Sequence, residues 1–245
     1  SFETDGKEVS LFAGDGACRV SYGFGWASWE RPEIKTTAFI PDSLSARILL
    51  IQPRGKGTLR LTQTSVLGSD LKFAAGCVTE AQDKIITISN PRNTEFAPQQ
   101  VIIASSSKML SFVHGHSAQG WPVLTAEYSL DGPAVLLTGC CRGDGERDAL
   151  VKLCDVQTAE ALLSSTVRRW QSLCRFLTVD TPDCKLNNYL NGWATYQTMA
   201  CRLLGRSSVY QSGGAYGFRD QLQDCCSLIL AAPDAVTEHI LLSCA

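Results

Sequence analysis

The sequence lacks most of the features by which a chain announces its function. Only 19% of its 245 residues are charged and 8% are aromatic, and 22 Lys+Arg nearly balance 24 Asp+Glu for a net charge of −2. That balance provides no basic face for nucleic acid and no cationic surface for an anionic membrane, so neither is expected as a partner. No apolar run approaches the roughly 18–20 residues that span a bilayer. The stretch Ser1 to Ser10 carries four charges and no apolar core, unlike a signal peptide. Histidine is scarce: His114, His116 and His239 are the three present, and none stands at zinc-site spacing from a cysteine pair. No Cys-x-x-Cys occurs, nor a Gly-x-x-x-x-Gly-Lys-Ser/Thr loop, nor a dinucleotide fingerprint between a strand and a helix. Internal repeats and low-complexity segments are also missing.

Cysteine, by contrast, is plentiful, with eleven residues. Disulfide scaffolds are short secreted chains richer than roughly 8–10% in cysteine, and this chain falls well below that. The count is odd, and Cys140–Cys141 and Cys225–Cys226 are adjacent pairs that rarely bridge internally. Small buried hydrophobes in a reducing cytoplasm are the expectation. The chain starts at Ser1, and Asp234 to Ala245 is an apolar helical pattern with no Gly, Asn or Pro to stop it. The expectation from these two ends is a piece of a longer protein.

Residues 1 to about 139 read as β. Short apolar or alternating runs recur between turn signals: Val9–Ala13, Cys18–Gly23, Phe24–Trp29, Thr36–Ile40, Ala46–Gln52, Thr58–Val66, Phe73–Thr79, Lys84–Ser89, Val101–Ala104, Val123–Tyr128 and Ala134–Gly139. The segment Ala46 to Ser65 reads as a hairpin, Arg47–Ile51 pairing with Thr58–Thr62 across Pro53-Arg54-Gly55-Lys56-Gly57. About ten short strands at this spacing predict an antiparallel sandwich rather than βαβ units.

After Gly139 the period changes. A polar turn, Arg142-Gly143-Asp144-Gly145, precedes helical spacing over Thr158 to Leu177. A second helix is expected from Thr181 as N-cap, with Pro182 first and Asp183 in its first turn, to Gly205. A third follows over about Phe218 to Ala231, and a fourth starts at Asp234. The organisation expected is a sandwich over 1–139, a linker with a connecting helix over 140–180, and helices over 181–245.

The chemistry concentrates between Gly205 and Asp224. Gly213, Gly214 and Gly217 make a permissive loop with Tyr210 and Tyr216, and a helix then opens with Arg219 and Asp220. On that helix Asp220, Gln223 and Asp224 share one face at i, i+3 and i+4. A carboxylate and an amide beside a guanidinium accept from and donate to vicinal hydroxyls, and Tyr210, Tyr216, Phe218 and Trp193 offer flat surface for a sugar's C–H face. The same residues also fit a plain surface helix, its acids on the macrodipole and Arg219–Asp220 a salt bridge. His114 and His116 fall on one face of a strand, without a third metal ligand. Asp144, Glu146 and Asp148 lack the full cation-loop pattern and read as a solvated turn. Trp26 and Trp29, on early strands, read as core.

The run Asn188-Tyr189-Leu190-Asn191-Gly192-Trp193-Ala194-Thr195-Tyr196-Gln197-Thr198, followed by Tyr210-Gln211-Ser212-Gly213-Gly214-Ala215-Tyr216-Gly217-Phe218-Arg219-Asp220-Gln221-Leu222-Gln223-Asp224, resembles glycoside hydrolase family 94. That family (formerly glycosyltransferase family 36) holds inverting glycoside phosphorylases and the phosphorylase-like domain of cyclic β-1,2-glucan synthases. Arg19 to Glu30, with Gly23-Phe24-Gly25-Trp26, is similar to the family's opening sandwich. The resemblance implies a large β-sandwich (a super-sandwich) leading through linker helices into an (α/α)₆ barrel, of which this chain holds the start.

The resemblance further implies that Arg219 and Asp220 hold the non-reducing sugar in the −1 subsite, with Gln223 and Asp224 next in the same motif. Arg206 matches an arginine near the phosphate site across a shorter loop. Cellobiose-type members have another sugar-binding arginine where this chain has Gly213, and Gln-Ser-Gly-Gly-Ala is closer to the cyclic-glucan-synthase and β-1,2-oligoglucan branch. The implied substrates are a β-linked gluco-oligosaccharide and inorganic phosphate, with no further cofactor and no metal, in the cytoplasm, with room for a homodimer. The family's general acid sits in a Gly-Asp-Trp-Asn-Asp-like segment, and no such segment occurs in these 245 residues. Phosphorolysis by the chain alone is therefore not expected. A non-catalytic carbohydrate-binding, assembly or regulatory piece of such an enzyme is the other reading.

Overall fold

The computed structural model describes residues 1–12, 18–42, 44–64, 67, 76–92, 99–204 and 218–244. These residues form two compact units, Ser1–Thr166 and Val167–Ala245. The described residues of the first unit form thirteen strands in two antiparallel sheets. In chain order they are β1 (Phe2–Thr4), β2 (Lys7–Val9), β3 (Arg19–Gly23), β4 (Trp26–Glu30), β5 (Ile34–Phe39), β6 (Ala46–Pro53), β7 (Gly57–Thr64), β8 (Val78–Gln82), β9 (Ile85–Ser89), β10 (Gln100–Ser105), β11 (Met109–His116), β12 (Pro122–Leu130) and β13 (Ala134–Cys141). The five-stranded sheet runs β11-β12-β7-β1-β2 and the eight-stranded sheet β3-β4-β5-β6-β13-β10-β9-β8.

The difference between the sheets follows from which faces are covered. β12 alternates fully, with Leu124, Ala126, Tyr128 and Leu130 buried and Thr125, Glu127 and Ser129 turned out, as a sheet with one wet face requires. The centre of the larger sheet is apolar without alternation. Leu49 and Ile51 of β6 and Leu136 of β13 join the core between the sheets, with Phe2, Leu59 and Tyr128 from the smaller sheet. Their neighbours Ile48, Leu50, Val135 and Leu137 point the other way, into a second core with Leu150 and Ala159. Those two residues lie on α1 (Asp144–Lys152) and α2 (Val156–Cys174), so helices cover the outer face of the larger sheet.

This layering overturns the expected Ala46–Ser65 hairpin. β6 pairs with β5 and β13, whereas β7 pairs with β1 and β12, so the connection after Pro53 passes from one sheet to the other. Gly57 starts β7 where no side chain fits: a Cβ there would lie 2.2 Å from the Glu3 carbonyl oxygen and 2.6 Å from the Phe2 ring. β1 and β11 are strands that no run in the sequence marked, and of the run Val9–Ala13 only Val9 lies on a strand, the end of β2, while Ala13 lies outside the described residues. Of the run Phe73–Thr79, residues 73–75 lie outside the described residues.

The expected solvated turn at Asp144, Glu146 and Asp148 is instead helix α1. Gly143, at φ 152°, precedes it in a conformation that glycine alone tolerates well. The Glu146 carboxylate accepts from the Arg142 N–H at 2.7 Å, and Arg147 pairs with Asp144 at 2.9 Å and Asp148 at 3.3 Å. At the start of α2, Asp155 accepts from the Thr158 N–H at 3.0 Å, which holds its carboxyl below the usual range.

In the second unit a helical run covers α3 (Cys184–Asn188), a π-helical turn (Tyr189–Trp193), α4 (Ala194–Thr198) and a second π turn (Met199–Leu204). After the undescribed stretch come α5 (Phe218–Cys225), a 3₁₀ turn (Cys226–Leu228) and α6 (Pro233–Cys244). The N-cap of α3 is Asp183, not Thr181: its carboxylate accepts from Lys185 N–H at 2.8 Å and Leu186 N–H at 3.3 Å. No helix among the described residues is long and apolar enough to cross a membrane. All eleven cysteines are free thiols.

Candidate functional site

The second unit orders its polar groups around an amide clamp. Asn191 spans the backbone of Val179, accepting from its N–H at 2.7 Å and donating to its C=O at 2.8 Å. One turn earlier Asn187 does the same to Thr181, at 2.9 Å each way, and also accepts the Thr181 hydroxyl at 2.7 Å. Two carboxamides at i and i+4 thus replace a strand partner for the extended segment 179–181. A β-ladder exchanges N–H and C=O in the same manner.

The clamp lies beside an aromatic group. Trp170, buried on the later part of α2, packs its ring 4.7 Å from Tyr196, and the Tyr196 ring lies 5.8 Å from Trp193 at 30°. Trp193 remains 45% exposed, so it offers an accessible aromatic face on the π turn. Single π turns inside helices recur at functional sites, where the extra residue re-aims side chains. Neither the clamp nor the Trp170–Tyr196 pair was read from the sequence; Asn187 and Asn191 at helical i, i+4 spacing after Thr181 were the available signal.

α5 carries the other candidates. Arg219 is exposed in its first turn and Gln223 one turn on, while Asp224 is half-buried. Residues 220, 223 and 224 all lie on this helix, at i, i+3 and i+4. The side chains of Asp220 and Phe218 lie outside the described residues, as do Arg206, Tyr210, Gly213 and Tyr216. Behind this face the Cys225 thiol is buried and donates to the Leu222 carbonyl at 3.1 Å. Burial, and then the neighbouring Cys226, push that thiol above its usual range, which leaves it a packing group rather than a nucleophile.

The remaining candidates stand apart. His114 and His116 are exposed on edge strand β11, and the His114 ring stacks 5.8 Å from Phe112. Among the described residues, no group of three His, Cys, Asp or Glu side chains could hold a metal ion. The Trp26 ring packs beside the helix-covered core and Trp29 meets Phe12 edge-on at 4.9 Å.

A sandwich followed by helices recurs in solved enzymes that act on sugars. A putative kojibiose phosphorylase from the human microbiome aligns with a TM-score of 0.50 and 11% identity, over 84% of this chain and 33% of its own. A bacterial glucoamylase complexed with acarbose aligns with a TM-score of 0.54 and 11% identity, over 90% of this chain and 40% of its own. At such identities the likeness defines the fold.

Sequence comparison narrows the class. Residues 169–245 match the catalytic-domain model of the Glycosyl hydrolase 94 superfamily. The cyclic beta-(1,2)-glucan synthase NdvB of Rhizobium meliloti (strain 1021) is 29% identical over 146 residues, which are 59% of this chain and 5% of that protein. The chain thus spans a small part of each relative it matches. The matched segment includes the aromatic group, the clamp residues Asn187 and Asn191, and α5.

Proposed function

We propose that this chain forms the sugar-binding side of an inverting glycoside phosphorylase that cleaves β-linked gluco-oligosaccharides with inorganic phosphate. The observation that carries this reading is the family match over residues 169–245, which encloses Arg219, Asp220, Gln223 and Asp224 on α5. The Arg219 guanidinium donates to hydroxyls of the non-reducing sugar, and the Asp220 carboxylate accepts from the same hydroxyls, charge-assisted on both sides. Gln223 and Asp224 extend the row by one helical turn. Arg206 is the candidate phosphate-binding arginine by resemblance, and phosphate takes the place of the water used by hydrolases.

In the reaction a carboxylic acid protonates the glycosidic oxygen as the C–O bond breaks. Phosphate attacks C1 from the opposite face, giving a sugar 1-phosphate of inverted configuration. Neither Asp220 nor Asp224 is assigned the acid role, because both belong to the sugar-holding motif. The helices of the second unit are, in this reading, the opening part of an (α/α)₆ barrel. Gly213 in place of the arginine of cellobiose-type members, together with the similarity to a cyclic beta-(1,2)-glucan synthase, favours β-1,2-linked glucans. A second reading is a non-catalytic carbohydrate-binding or assembly piece of such an enzyme.

The test has two arms. Calorimetric titration of the chain with β-1,2-gluco-oligosaccharides should show binding that Asp220→Asn weakens about 10- to 100-fold, the range for one charge-assisted hydrogen bond. Unchanged affinity would defeat the assignment of Asp220. A longer polypeptide that includes a Gly-Asp-Trp-Asn-Asp-like segment should release glucose 1-phosphate only when phosphate is present; binding without release there selects the second reading.

A further inference from the structure

Asn191 is followed by Gly192, and this is the one Asn–Gly step in the chain. That dipeptide carries a chemistry of its own. The amide nitrogen of the following residue attacks the side-chain carboxamide carbon, Cγ, of the asparagine. A new C–N bond closes a cyclic imide, the bond from Cγ to the amide nitrogen breaks, and ammonia leaves. Water then opens the ring at either carbonyl, giving aspartate or isoaspartate. No oxidant, enzyme or cofactor takes part. Glycine makes the step fastest, because no Cβ obstructs the attacking nitrogen and its backbone reaches the ring conformation without strain. The other asparagines lack this neighbour. Asn90 precedes a proline, which has no N–H to lose, Asn93 precedes Thr94, Asn187 precedes Asn188, and Asn188 precedes Tyr189.

The structure holds this reaction back in three ways. Asn191 and Gly192 lie inside the π turn Tyr189–Trp193, within a helical run that extends from Cys184 to Leu204. A helical ψ of about −42° keeps the Gly192 nitrogen off the line of attack on Cγ, which an extended backbone at Asn191 opens. Within the run the Gly192 N–H points to a carbonyl of the preceding turn, held as a donor rather than freed for deprotonation. Both ends of the Asn191 carboxamide are also engaged. Its Oδ1 accepts from the Val179 N–H at 2.7 Å and its Nδ2 donates to the Val179 C=O at 2.8 Å, which fixes the torsions that ring closure must change. Gly192 is buried, so water reaches the pair only when the turn loosens. Conversion is one-way. Aspartate keeps an acceptor for the Val179 N–H but sets an oxygen against the Val179 C=O where a donor stood. Isoaspartate adds a carbon to the main chain and breaks the helical register. Asn187, which grips Thr181 in the same manner without a glycine after it, is the internal comparison.

We propose that Asn191–Gly192 is a latent modification site, converted to aspartate or isoaspartate when the clamp on Val179 opens, so that the clamp sets the lifetime of the helical unit. This holds whatever α5 binds. Where opening and closing are fast relative to the chemistry, conversion tracks the population of the open form. The test incubates the chain at mildly alkaline pH in water enriched in heavy oxygen, with and without urea. Peptide mapping by mass spectrometry then reads the label taken up at each asparagine. In urea Asn191 should convert first among the asparagines. Without urea its conversion should be slower by about tenfold or more, the population shift for a pair of buried hydrogen bonds. Asn187→Ala releases Thr181 from the neighbouring turn and leaves the Asn–Gly step intact. It should raise the rate at Asn191 without urea by about tenfold and leave the rate in urea unchanged. Where circular dichroism shows that Asn187→Ala loses its helices, Thr181→Val, which removes only the hydroxyl bond to Asn187, takes its place. Asn191→Gln should take up no label at this position, since the larger ring closes far more slowly. Equal rates at Asn191 with and without urea overturn the proposal. So does a rate without urea that neither Asn187→Ala nor Thr181→Val raises, or another asparagine converting ahead of Asn191 in urea.

Discussion

Tyr128 offers a direct measurement of how the sandwich core is satisfied. It is fully buried on β12, and among the described residues its hydroxyl has no hydrogen-bond partner. Leaving a hydroxyl in that condition costs about 1–3 kcal/mol in lost hydration. Tyr128→Phe keeps the ring and removes the cost, so the variant should be more stable than the parent chain by about 1 kcal/mol at pH 7. For a unit of this size that corresponds to a melting temperature about 2–4 °C higher. Burial, with Cys154 adding to it, pushes the phenol from 10.0 up to about 12. A pKa raised on folding means that the unfolded chain ionises first. The stability held by the neutral phenol is therefore intact below pH 10 and is lost as the pH rises from 10 toward 12. The advantage of Tyr128→Phe should accordingly widen by roughly 2 kcal/mol over that window. Cys154, pushed from 9.0 to about 12 by burial, loses stability over an overlapping range in both proteins, so that loss is largely common to the two. Urea unfolding followed by circular dichroism at a series of pH values measures both quantities. A variant destabilised by 1 kcal/mol or more at pH 7, or an advantage that does not change with pH, would refute the reasoning by showing that the hydroxyl is bonded.

Two further perturbations probe the other layers. Gly57→Ala forces a methyl group against the Glu3 carbonyl and the Phe2 ring, and should cost about 1–3 kcal/mol of sandwich stability, with β1 displaced first in hydrogen exchange. Asn191→Ala removes both clamp bonds to Val179 and should lower the stability of the second unit by about 1–3 kcal/mol, whereas Asn191→Asp should retain the bond from the Val179 N–H and lose less.

Much of the fold was legible in the sequence, and the places where it was not have a common physical origin. Strand runs such as Ala46–Gln52 and Ala134–Gly139 correspond to β6 and β13 because they are apolar and bounded by turn residues. Which strands pair was a different matter. Pro53 to Gly57 resembles a hairpin loop locally, but β6 takes its partners from β5 and β13 and packs one face on α1 and α2, about a hundred residues away, contacts that a local reading does not register. The N-cap of α3 moved from Thr181 to Asp183 because Asn187 takes up Thr181, a competition that propensity alone does not register. On α5 the shared face of Asp220, Gln223 and Asp224 follows from spacing, whereas the clamp at Asn187 and Asn191 depends on an extended segment folding back onto the helix.

The passage of β6 and β7 into different sheets also sets an order of events during synthesis. β7 lies between β1 and β12, and β6 meets its inner neighbour only when β13 inserts between it and β10. The five-stranded sheet cannot be completed before Leu130, nor the eight-stranded sheet before Cys141, has left the ribosome, because the last strand of each is an interior one. Ile48 and Leu50 gain the cover of Leu150 and Ala159 only after that. The nascent chain must wait with its most apolar strand exposed, the topology in which folding is slow and chaperone contact most consequential.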